Sequence, residues 1–313
     1  MSIPYAVETK NLSKNFGSLK AVDDLNLTIN SGEIFGFLGP NGAGKSTSIN
    51  MICGLLSPTS GEVLINGKRI DNSHSTSRTV GLCPQDNIFW PMMTCLEQLT
   101  FMGAMYGLPR TDTKKSSIKL LADMGLSDKK NKLAKTLSGG MKRRLNICLA
   151  LVHDPEIVIF DEPEAGLDPQ SRVMVREYIH MLTAKKTIIL TTHNMDEAER
   201  LAQRVAIIDN GKLLLTDTPE NLKRHNGEED ILELSLPDEN VSPEKAKALL
   251  KDMNGIISTE SNRVLIKSKQ CLALLPEIMN RLSVNGISIK QVQVRKNTLE
   301  DVFIKLTGRK LRE

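Results

Sequence analysis

Two spacings of apolar residues alternate along this chain, and the points where one replaces the other mark its elements. Leu25, Leu27 and Ile29 recur at every second position, the spacing of a strand with one buried face. Residues 5–30 therefore predict two or three strands, interrupted by Asn15-Phe16-Gly17 as a turn. Strand-like runs follow at 34–38, 62–65, 79–83, 157–160, 187–191 and 205–208, and a helix-compatible stretch spans 48–52. From Ile88 to about Lys135 the spacing becomes helical, with few β-branched residues. Asp209-Asn210-Gly211, between Ile208 and Leu213, has the residue types of a hairpin turn. Strands and helices alternating in this way predict an α/β fold, a mixed parallel and antiparallel sheet with helices on both faces.

Past Pro219 the pattern changes. His225-Asn226-Gly227-Glu228-Glu229-Asp230 reads as a polar linker. Beyond it we expect a strand (231–236), a helix (243–253), two strands (255–259 and 263–267), a helix (272–285), a strand (287–294) and a last helix (298–306). The first six follow the β-α-β-β-α-β order of a ferredoxin-like fold. Thr298 would cap the last helix with Asp301 completing the box, and Leu299, Val302, Phe303 and Leu306 form a stripe that must bury. Two domains are expected: 1–222, with a helical subdomain at about 88–150, and an α+β accessory domain at 223–313.

Composition narrows the class. With 40% hydrophobic and 25% charged residues the chain is an ordinary globular protein. A formal charge of +4 is too small to argue for nucleic acid. Eight Lys and Arg between Arg110 and Lys135 read as a solvated helix face. Cys53, Cys83, Cys95, Cys148 and Cys271 are scattered, without C-x-x-C pairing, as buried reduced thiols are. The first residues lack the basic and apolar regions of a secretory signal, and no apolar run reaches membrane-spanning length. Any membrane process would be served from the cytosol, by docking.

The chemistry begins at Gly39-Pro40-Asn41-Gly42-Ala43-Gly44-Lys45-Ser46-Thr47, a G-x-x-x-x-G-K-[ST] loop between the strand-like 34–38 and the helical 48–52. Glycines let the backbone wrap a phosphate, and the N–H groups of the helix start point at it. Lys45 would sit on the β- and γ-phosphates and Ser46 on Mg²⁺, so the chain binds a nucleoside triphosphate. Leu137-Ser138-Gly139-Gly140-Met141-Lys142-Arg143-Arg144 is a second glycine turn opening a helix, and Ile157–Phe160 is an apolar run ending in Asp161-Glu162.

In this order the motifs resemble those of the ATP-binding cassette (ABC) ATPases, over residues 5 to about 220. The resemblance implies a P-loop NTPase cassette, with Phe16 as adenine-stacking aromatic, Gln85 as Q-loop glutamine, Asp168 in an Ala165-Gly166-Leu167-Asp168 D-loop, and His193 as the switch histidine on the γ-phosphate. Asp161 would hold Mg²⁺ through a water, with Ser46 and Gln85 as further ligands. Glu162, one residue on and pointing elsewhere, would be the general base. The Ser138-Gly139-Gly140 turn has the same affinity for anions as the phosphate loop and is surplus within one chain. In the family it completes the site of the opposing subunit, which implies a homodimer with two ATP molecules between subunits. Phe89-Trp90-Pro91-Met92-Met93 would be either helical-subdomain core or, as in the family, a docking surface for a membrane subunit.

Met141 stands where the family usually has Gln, a variant of its lipid-, drug- and polysaccharide-exporting branch, and 297–309 resembles the closing segment of daunorubicin-resistance-type ATPases. Glu164 and Ala165 replace the more usual Thr and Ser, and the Glu164 charge should raise a neighbouring pKa. The expectation is an ATPase subunit of an exporter, on the cytoplasmic face of a membrane, with a separate transmembrane permease and no nucleic acid. An importer ATPase and a soluble ABC ATPase without a membrane partner are the alternatives.

Overall fold

The computed structural model describes residues 5–70, 78–225, 230–237, 242–253, 255–260, 262–268 and 270–308. Residues up to Pro219 form one compact unit and Glu220 onward a second. The division expected after residue 222 thus falls three residues earlier, and residues 226–229 of the expected linker lie outside the described residues.

The first unit carries strands β1 (Val7–Phe16), β2 (Leu19–Ile29), β3 (Ile34–Leu38), β4 (Ser60–Ile65), β5 (Lys68–Arg69), β6 (Val80–Cys83), β7 (Ile157–Asp161), β8 (Thr187–Thr192), β9 (Arg204–Asp209) and β10 (Lys212–Asp217). Its helices are α1 (Lys45–Ile52), α2 (Cys95–Met105), α3 (Arg110–Asp123), α4 (Gly139–Leu151), α5 (Pro169–Leu182) and α6 (Met195–Leu201), and α7 (Pro219–His225) starts at the boundary. The central sheet runs β10-β9-β3-β8-β7-β6, parallel except for the β9–β10 hairpin. Every residue of β3 and β8 is buried, as in a parallel sheet covered on both faces. The antiparallel second sheet, β2-β1-β4-β5, shows the half-buried alternation read at Leu25, Leu27 and Ile29. Asn210 and Gly211 both take positive φ in the β9–β10 turn, matching the twist of the strands they join.

Two local expectations are corrected. Strand β1 continues through Phe16, so the turn is Gly17-Ser18. Residues 88–94 are not helical. Thr94 caps α2, accepting from the Glu97 N–H while the Glu97 carboxylate accepts from the Thr94 N–H, and Pro91 disfavours helix just before it.

The second unit comprises β11 (Asp230–Ser235), α8 (Pro243–Leu250), β12 (Ile256–Glu260), β13 (Arg263–Ser268), α9 (Cys271–Val284), β14 (Gln291–Arg295) and α10 (Leu299–Thr307). Its antiparallel sheet has the order β12-β13-β11-β14, the ferredoxin-like arrangement. Leu232, Leu234, Val264 and Ile266 pack with Leu250, Ile278 and Leu282 in its core. β14 starts four residues later than the apolar pattern suggests, because Ile287 and Ile289 join this core from outside the strand. Arg295 bonds both Asp301 and Glu233, tying the capping box of α10 to the sheet.

Candidate functional site

Strand β3 delivers the chain into the glycine-rich loop, and packing dictates where glycine stands. A Cβ on Gly39 would lie 2.3 Å from the Ile208 carbonyl oxygen. Gly44 takes φ +100°, and a Cβ there would lie 2.4 Å from the Ala21 carbonyl oxygen. Because Gly44 is the N-cap of α1 and offers no side chain, the first N–H groups of that helix have no side-chain cap. Lys45 is buried beneath the loop, and its Nζ donates to the carbonyls of Gly39 (2.8 Å) and Pro40 (3.0 Å). Burial lowers its pKa, and the charges of Glu162 and Asp161 act to raise it.

The end of β7 supplies the carboxylates. Thr191, on the neighbouring β8, donates its hydroxyl to Asp161, and the other Asp161 oxygen lies 3.5 Å from Ser46 Oγ. One neutral and one anionic oxygen in mutual reach are the donor types a hard cation takes. Glu162 is buried in a left-handed conformation, φ +50°, its N–H donating to the Thr191 carbonyl at 3.1 Å. Its carboxylate meets two other side chains. His193 Nδ1 is 2.6 Å from Glu162 Oε1, and Gln85 Nε2 is 3.5 Å from Glu162 Oε2.

A cavity of about 560 Å³ is lined by Phe16, Gly44, Lys45, Ser46, Gln85, Asp161 and Glu162 among others, including Asn41, Gly42 and Thr47. Phe16 is half exposed beside it, with Lys14 Nζ 5.3 Å from its ring centroid. His193 reaches the site through Glu162. Ser138, Gly139, Gly140 and Asp168 are not among the lining residues: the structure does not bring them to this cavity. Ser138 caps α4, accepting from the Met141 N–H at 3.3 Å, and Asp168 caps α5, accepting from the Ser171 N–H at 3.0 Å.

Three residues of the site escaped the sequence reading. Thr191 orients Asp161, and nothing local marks it, because only the pairing of β7 with β8 sets it opposite. Glu197 is buried on α6 and accepts from the Thr192 hydroxyl; burial first, then the Glu164 and Glu162 charges, raise its pKa to about 7. Glu197 lies outside the motif to which the Glu164 expectation referred, and the charge of Glu164 itself is met by Arg176 in a two-point ion pair at 2.7 and 3.0 Å. Arg143 lies on the buried stripe of α4, four residues before Ile147, and a charge in that stripe was a legible signal.

Trp90 and Met92 are surface rather than core, whereas Phe89 and Met93 are half-buried. Trp90, Met92, Ile88, Phe101 and Met105 are exposed, and Trp90 meets Phe101 edge-on at 5.2 Å. Among the described residues no helix is long and apolar enough to cross a membrane.

Residues 22–165 match the family described as ABC transporter. The chain is 35% identical over 310 residues to the linearmycin resistance ATP-binding protein LnrL of Bacillus subtilis, covering 98% of this chain and 100% of that one. It is 34% identical over 310 residues to the daunorubicin/doxorubicin resistance ATP-binding protein DrrA of Streptomyces peucetius, 97% of this chain and 92% of that one. Among solved structures it is similar to a dimeric ATP-binding cassette in a post-hydrolysis state bound to ADP and Pi, with TM-score 0.62, 26% identity, and 68% of this chain and 98% of that one covered.

Proposed function

The chain belongs to the ABC transporter family of ATP-binding ATPases, and we propose that it powers an exporter from the cytoplasmic face of a membrane, through a separate transmembrane subunit. The observation that carries the catalytic reading is the contact of Glu162 with both His193 and Gln85, beside the Lys45 loop. Glu162 takes the proton of the attacking water. His193 holds that carboxylate through Nδ1, which leaves Nε2 to reach the terminal phosphate. Gln85 links the carboxylate to the helical subdomain. Lys45 supplies a fixed positive charge to the phosphates, and Phe16 stacks on the adenine. Ser46 and Asp161, with Gln85, would hold Mg²⁺, which when bound neutralises phosphate charge.

The Ser138-Gly139-Gly140 turn and Asp168 serve the nucleotide of a second copy, which makes a homodimer the working unit. The exposed Ile88, Trp90, Met92 and Met105 form the surface for the transmembrane subunit. Export is favoured over import by the resistance functions named for both relatives above. The unit from Glu220 onward carries none of the motifs assigned to the nucleotide and is read as an accessory domain.

The test is turnover of purified protein with Mg-ATP. Glu162→Gln is expected to lower kcat about 10²–10⁴-fold, the usual cost of losing a general base, while ATP still binds and the doubly loaded dimer accumulates on sizing. Near-wild-type turnover in Glu162→Gln would assign the base elsewhere.

A further inference from the structure

Arg143 is almost fully buried, 2% exposed, and no carboxylate answers its charge among its described contacts. Its partners are main-chain carbonyls. Nε donates to Pro163 (3.3 Å), Nη1 to Pro84 and to Gln85 (3.0 Å), and Nη2 to Asp161 (2.6 Å) and Glu162 (3.0 Å). A guanidinium has five N–H donors in a rigid fork, and here Nη1 serves carbonyls of one segment while Nη2 and Nε serve carbonyls of another, remote from it in sequence. These are the backbones that carry Gln85, Asp161 and Glu162. Two of the bonds flank the left-handed Glu162, a conformation that a non-glycine residue holds only when its surroundings fix it. Asn146, one turn further along α4, adds bonds to the carbonyls of Pro84 (3.4 Å) and Asp86 (3.3 Å), so the helix grips the Gln85 loop at two levels.

The same helix begins at Ser138. Resting on the reading above that Glu162 is the base and that the Ser138 turn serves the opposing nucleotide, we infer that Arg143 is a positioning residue for hydrolysis. It fixes Glu162 and Gln85 of its own chain against the helix whose start faces the other subunit's ATP. It touches neither nucleotide nor water. Its effect passes through the carbonyls it holds, and a lysine, with one nitrogen at the end of a flexible stem, cannot span the two segments as the fork does.

The experiment compares wild type, Glu162→Gln, Arg143→Lys and Arg143→Met as full chains, measuring thermal midpoint, ATP affinity and binding stoichiometry, and kcat and KM for Mg-ATP. Turnover is expressed per nucleotide-binding molecule, well below each midpoint, so that a loss of folded protein cannot pass for a loss of rate. Arg143→Lys is expected to keep ATP affinity within about 3-fold and to lose about 10–100-fold in kcat, the scale of an ångström-level misplacement of a reacting group. Arg143→Met should lose more; if it fails to fold, Arg143→Lys decides alone. A kcat in Arg143→Lys within about 2-fold of wild type per binding molecule overturns the inference. If Glu162→Gln abolishes turnover in that same series, the function reading stands while the Arg143 inference falls. If wild type hydrolyses no Mg-ATP, both fall.

Discussion

The first unit contains two glycine turns that open helices, and their surroundings differ. At the start of α1 the N-cap is a glycine with no side-chain cap, and Lys45, Asp161 and Glu162 of the same chain line the adjoining cavity. At the start of α4 Ser138 already serves one N–H with its own side chain, and Ser138 and Gly139 are exposed. Both turns attract anions by the same backbone physics. Only the first adjoins the cavity lined by a lysine and two carboxylates of the same chain, and under the proposed function the second serves the nucleotide of a second copy.

The sharpest way to break this comparison is complementation. Ser138→Arg and Lys45→Ala chains should each be inactive in ATP hydrolysis, by about 100-fold or more. Mixed and allowed to exchange, they form dimers with one intact composite site, and a 1:1 mixture with independent sites should recover about a quarter of wild-type activity. Crosslinking reports the exchange. Confirmed exchange without any recovery would mean either that the turn does not act across subunits or that sites fire only in pairs, and nucleotide occupancy of the mixed dimer separates the two.

A smaller effect tests the acidic surroundings of the first turn. Glu197 is protonated up to about pH 7 in the folded chain, against 4.5 for an ordinary carboxyl. The folded state then holds more protons than the unfolded state between these values, so stability falls as pH rises through that window. Glu197→Gln removes the titrating group and leaves an amide oxygen to accept from Thr192. At pH 8 it should be more stable than wild type by about 1–3 kcal/mol, with no difference near pH 4. Urea unfolding at the two pH values measures this; an equal change at both would show that burial of the charge is not what matters there.

The smallest effect compares glycines. Gly42 takes φ +79° in open space, whereas Gly139 lies in the helix with nothing near its missing Cβ. Gly42→Ala should cost about 1 kcal/mol of unfolding free energy through backbone strain alone, and Gly139→Ala less than about 0.5 kcal/mol. Equal costs would mean that the two turns are not different in kind.

Much of this was legible without coordinates. Spacing marked β3, β8 and β9, and turn chemistry marked the Asn210-Gly211 hairpin, because these depend on near neighbours in the chain. Helical spacing and few β-branched residues point to helix from Ile88 onward, yet residues 88–94 are not helical, because Pro91 and the Thr94–Glu97 box act on the backbone rather than on the spacing. Ile287 and Ile289 lengthened an expected strand for a related reason: they are core residues whose backbone is not in the sheet.

The sequence by itself determined the phosphate loop, the order of the motifs, the carboxylates at the end of β7, and the β-α-β-β-α-β series of the second unit. Each is carried by residue types at short fixed spacing. What only the tertiary structure decided is who touches whom. Thr191 meets Asp161 because β8 lies beside β7, and Arg176 meets Glu164 because α5 folds back past it. Arg143 gathers two distant segments because α4 packs where both pass. Such contacts join residues that are 12 to 59 positions apart, and no local rule of spacing spans that distance, since packing of whole elements sets it.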